Sequence, residues 1–197
     1  VKQSLLVFAG STRSGSYNRQ LARVAADMAQ GRGAKVTLLE LADFNIPLYN
    51  ADLESQGTPP DVIRLKELMY AHAGWIICSP EYNGSVTALL KNTLDWASSP
   101  VKGHPEWGGS GIKPFAGKVV GLLSASPGAM GGLRSLAQLA PILRNSQCWV
   151  APRQFALSHA KEAFTPYGTL VHEAAHHAVQ GVVDQVLLAA ARLHPEP

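Results

Sequence analysis

The sequence predicts an α/β fold, a doubly wound five-stranded parallel sheet with helices on both faces. Three observations carry that expectation. Five short apolar runs alternate with five stretches of helical periodicity. The first run is apolar almost throughout, as a strand covered on both faces must be. The chain of 197 residues has no internal repeat and no linker, so residues 1–197 read as one domain.

In order, Ser4 to Ala9 is the first strand, ending at Gly10. Leu21, Val24, Ala25 and Met28 recur as one helical stripe, and Gly31 and Gly33 punctuate its end. Ala34 to Glu40 reads as the second strand, and Phe44 to Pro60 as a loop rich in Pro, Asn and Asp. Pro59-Pro60-Asp61 opens a helix marked by Val62, Leu65, Leu68 and Met69. Gly74 to Cys78 is the third strand, and Val86, Leu89, Leu90, Thr93 and Ala97 line the next helix. Ser98 to Lys113, dense in Gly and Pro, is the expected mobile segment. Lys118 to Leu123 is the fourth strand, followed by a helix through Leu133, Leu136, Ala137, Ala140 and Leu143. Gln147 to Val150 is a short fifth strand, and Thr165 to Leu193 carries the last helix with Val171, Ala175, Ala178, Val182 and Val186 on its face.

Composition removes several function classes. Apolar residues are 46% and charged residues 16%, which suits a core-forming chain and excludes a disordered one. Lysine and arginine number 17 against 14 acidic residues, a net charge of +3 with no basic run. That pattern offers neither a nucleic-acid arm nor a polybasic membrane patch, and leaves an electropositive pocket for a small anion. Two cysteines, Cys78 and Cys148, make no disulfide framework and no iron–sulfur site. No apolar run reaches membrane-span length, and Val1-Lys2-Gln3 leads straight into strand-like sequence, so a cytoplasmic protein is expected.

In such a sheet, ligands bind beyond the carboxyl ends of the strands. Three loops there carry chemistry. Gly10 to Asn18 combines glycines, four hydroxyl residues, Arg13 and a helix N-terminus, which is the chemistry of a phosphate cradle. It is neither a Walker A loop nor GxGxxG. Helix capping by Ser16 or Asn18 is the simpler alternative, and it leaves Arg13 unexplained. Ser79 to Ser85 holds Pro80, the turn pair Asn83-Gly84 and an aromatic tip at Tyr82, a flat wall for a planar heterocycle or a plain connection. Leu123 to Gly132 is long and small-residued, so its backbone can approach a ligand closely. Together the three loops suit a mononucleotide with a flat ring.

The blocks Gly10-Ser11-Thr12-Arg13 with Ser16 and Asn18, Pro80-Glu81-Tyr82-Asn83-Gly84-Ser85, Leu90-Lys91-Asn92 with Asp95-Trp96, and Gly128, Gly131-Gly132, Arg134 resemble the signature of the NADPH-dependent FMN reductase family. The resemblance spans residues 3 to 150 in order. It implies a flavodoxin-like fold and an FMN cofactor with NAD(P)H as cosubstrate. By the same resemblance Ser11, Arg13, Ser16 and Asn18 hold the FMN phosphate, and Pro80, Glu81, Tyr82, Asn83 and Gly84 line the ring edge, mostly through backbone groups. Ser124 and Ser126 face its other side. Asn92, Asp95 and Trp96 orient the second loop or support a subunit interface, and a homodimer or homotetramer is expected.

The resemblance further implies ping-pong transfer from NAD(P)H to FMN and then to a small-molecule acceptor: a flavin, quinone, azo compound or metal oxyanion. The flavin carries the chemistry, so no catalytic side chain is expected, and Tyr82 is the residue placed to shape the substrate space. A flavodoxin-type electron carrier is the rival reading. Against it stand the positive net charge and the Arg13 pattern, since such carriers are strongly acidic. His172-Glu173-Ala174-Ala175-His176 matches the HExxH zinc motif, but no strongly placed third ligand follows, since Glu196 lies in the C-terminal tail and His194 just before it. His172 and His176 also flank the apolar stripe, so no metal site is expected. Cys78, at the end of a buried strand, reads as an inert core thiol.

Overall fold

A computed structural model describes residues 3–195. Val1, Lys2 and Glu196 lie outside the described residues, and with them the expectations placed on those positions. The strands β1 (Ser4–Ala9), β2 (Lys35–Leu39), β3 (Gly74–Cys78), β4 (Val119–Ala125) and β5 (Trp149–Leu157) form one all-parallel sheet in the order β2-β1-β3-β4-β5. The helices are α1 (Tyr17–Gly31), α2 (Ala51–Gln56), α3 (Pro60–Ala71), α4 (Ala88–Ser98), α5 (Leu133–Asn145) and α6 (Glu173–Leu193).

The period-two geometry of a strand sorts the core into two layers. Leu5, Val7 and Ala9 of β1 join α1 and α6 in one cluster, whereas Leu6 and Phe8 join α3, α4 and α5 in the other. Strands β3 and β4 are buried at every position, as their near-continuous apolar runs require. Gly121 marks the closest approach of helix to sheet. A Cβ there would lie 2.6 Å from Val186 and 2.9 Å from Val182, so α6 sits down on β4 only because that position has no side chain.

Four boundaries depart from the sequence expectation. The loop from Phe44 to Pro60 contains α2, started by Asn50, whose side chain accepts from the amide of Asp52 at 2.7 Å. Strand β5 runs to Leu157, well past Val150. Between the pairs Val120–Val150 and Leu122–Gln154 the register shifts, and this bulge accommodates Pro152 on an edge strand. Helix α6 begins at Glu173 and not Thr165. The preceding residues close a small hairpin in which Phe164 bridges Leu170, and Thr165 N–H donates to Thr169 at 2.8 Å. Val171 is therefore exposed and outside the helix, whose buried stripe is Ala175, Val179, Val182, Val183, Val186 and Ala190.

The fourth departure concerns Ser98 to Lys113. Helix α4 runs back against the strands, so this segment lies at their amino ends, opposite the three chemical loops. His104 and Trp107 are thereby far from any site those loops build. The segment is also pinned. The ammonium of the fully buried Lys66 donates to the carbonyls of Ala97 at 2.6 Å, Ser99 at 2.8 Å and Gly111 at 3.3 Å. Trp107 is buried beside it, stacked on His104 with ring centroids 4.1 Å apart.

Burial pushes Lys66 down from its ordinary 10.5 to about 8. Replacing Lys66 with Met keeps the stem and strands three carbonyls, so Lys66→Met should cost about 2–3 kcal/mol, read as a lower urea midpoint with unchanged slope. Between pH 8 and 10.5 the unfolded chain binds a proton at Lys66 that the folded chain has released. The stability advantage of wild type over this variant should therefore grow as pH rises through that window. A difference that is flat or shrinks with pH would contradict it.

Candidate functional site

The loop after β1 is fixed by both of its neighbours. Gly10 N–H donates to Cys78 at 2.9 Å, and the hydroxyl of Thr87, which caps α4, donates to the Gly10 carbonyl at 2.8 Å. A Cβ on Gly10 would lie 2.9 Å from that of Leu90, so α4 packs directly on this loop. Ser16 caps α1, its hydroxyl accepting from Arg19 N–H at 3.4 Å. The Arg13 carbonyl accepts from Ser16 N–H at 3.1 Å and from the Arg19 guanidinium at 3.2 Å. The turn is thereby held against the helix, with the first amides of α1 facing outward from it.

Charge in this loop is unevenly spent. Arg19 and Arg23 both pair with Glu40, at 2.8 Å and 3.3 Å. Among the described residues no carboxylate pairs with Arg13, whose guanidinium lies 5.9 Å from the ring centroid of Tyr17. Tyr17 in turn stacks on Phe164, 6.4 Å between centroids.

A cavity of about 160 Å³ opens there, and eight of the eleven sequence-nominated residues line it: Ser11, Arg13, Ser16, Asn18, Pro80, Glu81, Tyr82 and Ser126. Asn18 reaches it with its amide already engaged. Its NH2 donates to Ala125 O at 2.8 Å and its oxygen accepts from Ala125 N–H at 3.0 Å, a buried clasp between α1 and the end of β4. What Asn18 contributes to a ligand is its position and its backbone, since the side chain is spent on β4.

The loop after β3 folds into a tight reverse turn. Tyr82 and Ser85 exchange two backbone bonds of 3.0 Å each. Asn83 and Gly84 both have positive φ, 51° and 82°, the requirement of a two-residue type I′ turn. This lifts Tyr82 to the tip, 60% exposed. Asn83 and Gly84 line a neighbouring cavity of about 470 Å³ together with Glu81, Ser126, Gly128, Met130 and Arg134. The two cavities share Glu81 and Ser126.

Glu81 joins the second loop to the third. Its carboxylate accepts from Arg134 Nε at 2.6 Å and from Arg134 N–H, in the first turn of α5, at 3.1 Å. The side chain is 8% exposed, so it is a strut and leaves the backbone to face a ligand. In the third loop, Ser126 N–H donates to Leu157 O at 3.1 Å and the Ser126 hydroxyl accepts from Gly128 N–H at 3.2 Å. Ser124 is fully buried, its hydroxyl donating to Gly131 O at 2.8 Å, and lines neither cavity. It shapes the loop from beneath. Asn92 and Trp96 grip a different loop from the one expected: both donate to Pro47 O at 2.9 Å, and Asn92 accepts from Tyr49 N–H at 2.7 Å.

The remaining sequence candidates resolve on geometry. His172 precedes α6 in extended conformation, so the two imidazoles of HExxH do not share a helical face. Among the described residues no three His, Cys, Asp or Glu side chains are grouped to hold a metal ion. His194 bonds Gly117 O at 3.0 Å at the opposite edge of the sheet. Burial raises the Cys78 thiol far above its usual range and pushes Cys148 up to about 12, which leaves both inert. No helix among the described residues is long and apolar enough to cross a membrane.

The donor set fits a phosphate-bearing planar cofactor: a helix N-terminus, hydroxyls of Ser11 and Ser16 and an unpaired guanidinium at one end, then a slot between two loops. Sequence reading missed the positioning residues Arg19 and Glu40, and placed Arg134 in a motif without giving it a role. Glu81 and Arg134 are 53 residues apart and meet only in the tertiary fold.

The glycines of the third loop separate conformational need from space. At Gly131, φ is +62° and a Cβ would lie 2.7 Å from the Ala156 carbonyl carbon. Gly131→Ala should destabilise by about 3 kcal/mol or more. Gly84→Ala, with φ +82° and open space, should cost about 1–2 kcal/mol. Gly128→Ala, with its nearest neighbour at 3.7 Å, should stay within about 0.5 kcal/mol of wild type. Thermal melts of the three variants check the ranking, and equal losses at all three would refute it.

Comparison with known proteins agrees with this geometry. The family model described as NADPH-dependent FMN reductase matches residues 4–162. An NAD(P)H-dependent FMN reductase of Pseudomonas aeruginosa is 35% identical over 191 residues, covering 96% of each chain. A quinone reductase of Escherichia coli K12 is 36% identical over 143 residues, 72% of this chain and 70% of that one. Among solved structures, the flavoenzyme NAD(P)H:(acceptor) oxidoreductase FerB from Paracoccus denitrificans superposes with a TM-score of 0.81 at 28% identity, covering 96% of this chain and 98% of its own. A helix start with Arg13 unpaired beside it among the described residues, two loops strutted by Glu81 and Arg134, and a family match over four-fifths of the chain lead to one conclusion: this protein belongs to the NADPH-dependent FMN reductase family.

Proposed function

We propose that this FMN-dependent NAD(P)H oxidoreductase anchors the FMN phosphate with Ser11, Arg13, Ser16 and the first amides of α1, and passes electrons to a small-molecule acceptor. Quinones, flavins, azo compounds and metal oxyanions are the acceptor classes in view. Bound FMN supplies the hydride chemistry; the protein supplies position, electrostatics and access. Pro80 to Gly84 form one wall of the ring site and Ser126 with Gly128 the other. The backbone N–H groups there act as fixed donors, and no side-chain acid, base or nucleophile is required. Tyr82, raised on its turn, shapes the space for the acceptor.

The observation that carries this reading is Arg13. Its two neighbouring arginines share Glu40 as their ion-pair partner, whereas Arg13 stands beside a helix N-terminus without a carboxylate among the described residues. The electron-carrier alternative is not favoured, because the relatives are named as reductases. Assembly as a homodimer or homotetramer in the cytoplasm completes the proposal. It is supported by Tyr82, Met130, Leu133 and Leu48, apolar side chains left at least half exposed, and by two cysteines that stay free. Light scattering that reports a monomer would remove the oligomer from it.

Arg13→Ala should weaken FMN binding about 10–150-fold, the loss of roughly 1.5–3 kcal/mol for a charge-assisted bond. Flavin fluorescence titration reads this directly, and unchanged affinity would reassign the anion site. Tyr82→Ala, by contrast, should shift the acceptor KM while FMN affinity stays within about twofold. Anaerobic NADPH should bleach the flavin band near ~450 nm in wild type. Persistent absorbance would overturn the reductase reading.

A further inference from the structure

A separate cavity of about 370 Å³ lies beyond the carboxyl end of β5, where the chain turns into the hairpin that precedes α6. That volume is in the range of small-molecule sites. None of its lining residues belongs to the two cavities of the reductase site. Its floor is apolar, with Phe155, Leu157 and Ala163, and its polar residues are Ser158, His159, His172 and Glu162. This is where the first histidine of HExxH goes. His172 stands outside the helix and is among the residues that line this cavity, apart from His176.

The chemistry of the lining selects a ligand class. Apolar walls with a few polar groups are the usual composition of a site for a planar organic molecule. Two imidazoles offer hydrogen-bond donors and acceptors to its edge. The lining holds one carboxylate and no lysine or arginine, so the permanent charge there, on Glu162, disfavours an anionic ligand. We propose that this cavity is a second small-molecule site, for an uncharged planar aromatic with a hydrogen-bonding edge, of the phenol or quinol class.

The site is distinct from the reductase cavities yet shares a wall with them. Gly131 of the third loop packs against the backbone of Ala156 and Leu157, which on its other side lines this cavity. His159 N–H also donates to Gly128 O at 3.3 Å, and Ala160 N–H to Ser126 O at 3.0 Å.

The test titrates the holoenzyme with 2-naphthol and, separately, with 2-naphthoate, and follows the imidazole resonances of the 7 histidines by NMR. Saturable shifts confined to His159 and His172 with 2-naphthol, and at least tenfold weaker binding of 2-naphthoate, are expected. Ala174→Leu, a filling change made from an exposed position in the lining, should weaken 2-naphthol at these resonances at least tenfold. Its rate of NADPH oxidation should be unaltered. Glu162→Gln, isosteric and exposed, should bring 2-naphthoate close to 2-naphthol in affinity and keeps the test decisive if the filled variant fails to fold. No saturable shift at His159 and His172, shifts that survive Ala174→Leu, or a preference for 2-naphthoate would each overturn the proposal. The readout is at the histidines and not at the flavin, so it stands or falls apart from the reductase assignment.

Discussion

Five strands that run the same way and are covered on both faces impose a geometry on everything else. Each connection from strand to helix must leave at the carboxyl edge, and each return must come back at the other. The loops after β1, β3 and β4 are neighbours in space for that reason, although more than 100 positions separate the first from the last. The buried clasp between the Asn18 amide and Ala125 closes the arrangement, fixing the start of α1 to the end of β4 at 2.8 and 3.0 Å. An amide with both its donor and its acceptor satisfied in a buried position is stiff, and removal of either partner strands a polar group. The cradle is therefore preorganised by the sheet and locked by one side chain.

Charge is distributed around that frame with economy. Glu40 takes up two arginines on α1, and Glu81 takes up Arg134 at the start of α5. Both acids act as struts. What remains uncompensated at the edge is Arg13 and the backbone N–H groups of the helix start, so the local field favours an anion although the whole chain carries only +3. At the opposite edge the same logic is inverted. Lys66 is buried with three carbonyls as its hydrogen-bond partners and the Trp107 ring beside it, and it ties down a Gly/Pro-rich segment.

Much of this was legible in the sequence because it depends on local pattern. The continuous apolar runs of β1, β3 and β4 announce burial on both faces, and the helical stripes of α1 and α3 announce their inner sides. Asn83-Gly84 states its own turn, since few other pairs accept positive φ at both positions. The nominated loop residues gather largely because loops after parallel strands must gather. What was not legible depends on partners distant in the chain. Strand β5 extends beyond Pro152 because β4 lies beside it to absorb a bulge, and no local signal reports that. Nothing near Ser98 to Lys113 says that Lys66, on another helix, will order it.

The sequence by itself determined the class of fold, the edge on which the three candidate loops gather and the residue types brought to it, because hydrophobic period and turn chemistry are properties of consecutive residues. Only the tertiary structure decided what each side chain does there. It engaged the side chains of Asn18 and Ser124 in internal ties, and made Glu81 a strut to Arg134. It also took His172 off its helix and into a cavity beyond β5. Those outcomes rest on which polar groups find a partner first across the fold. Such pairing is settled by distance in space, and distance in the sequence carries no record of it.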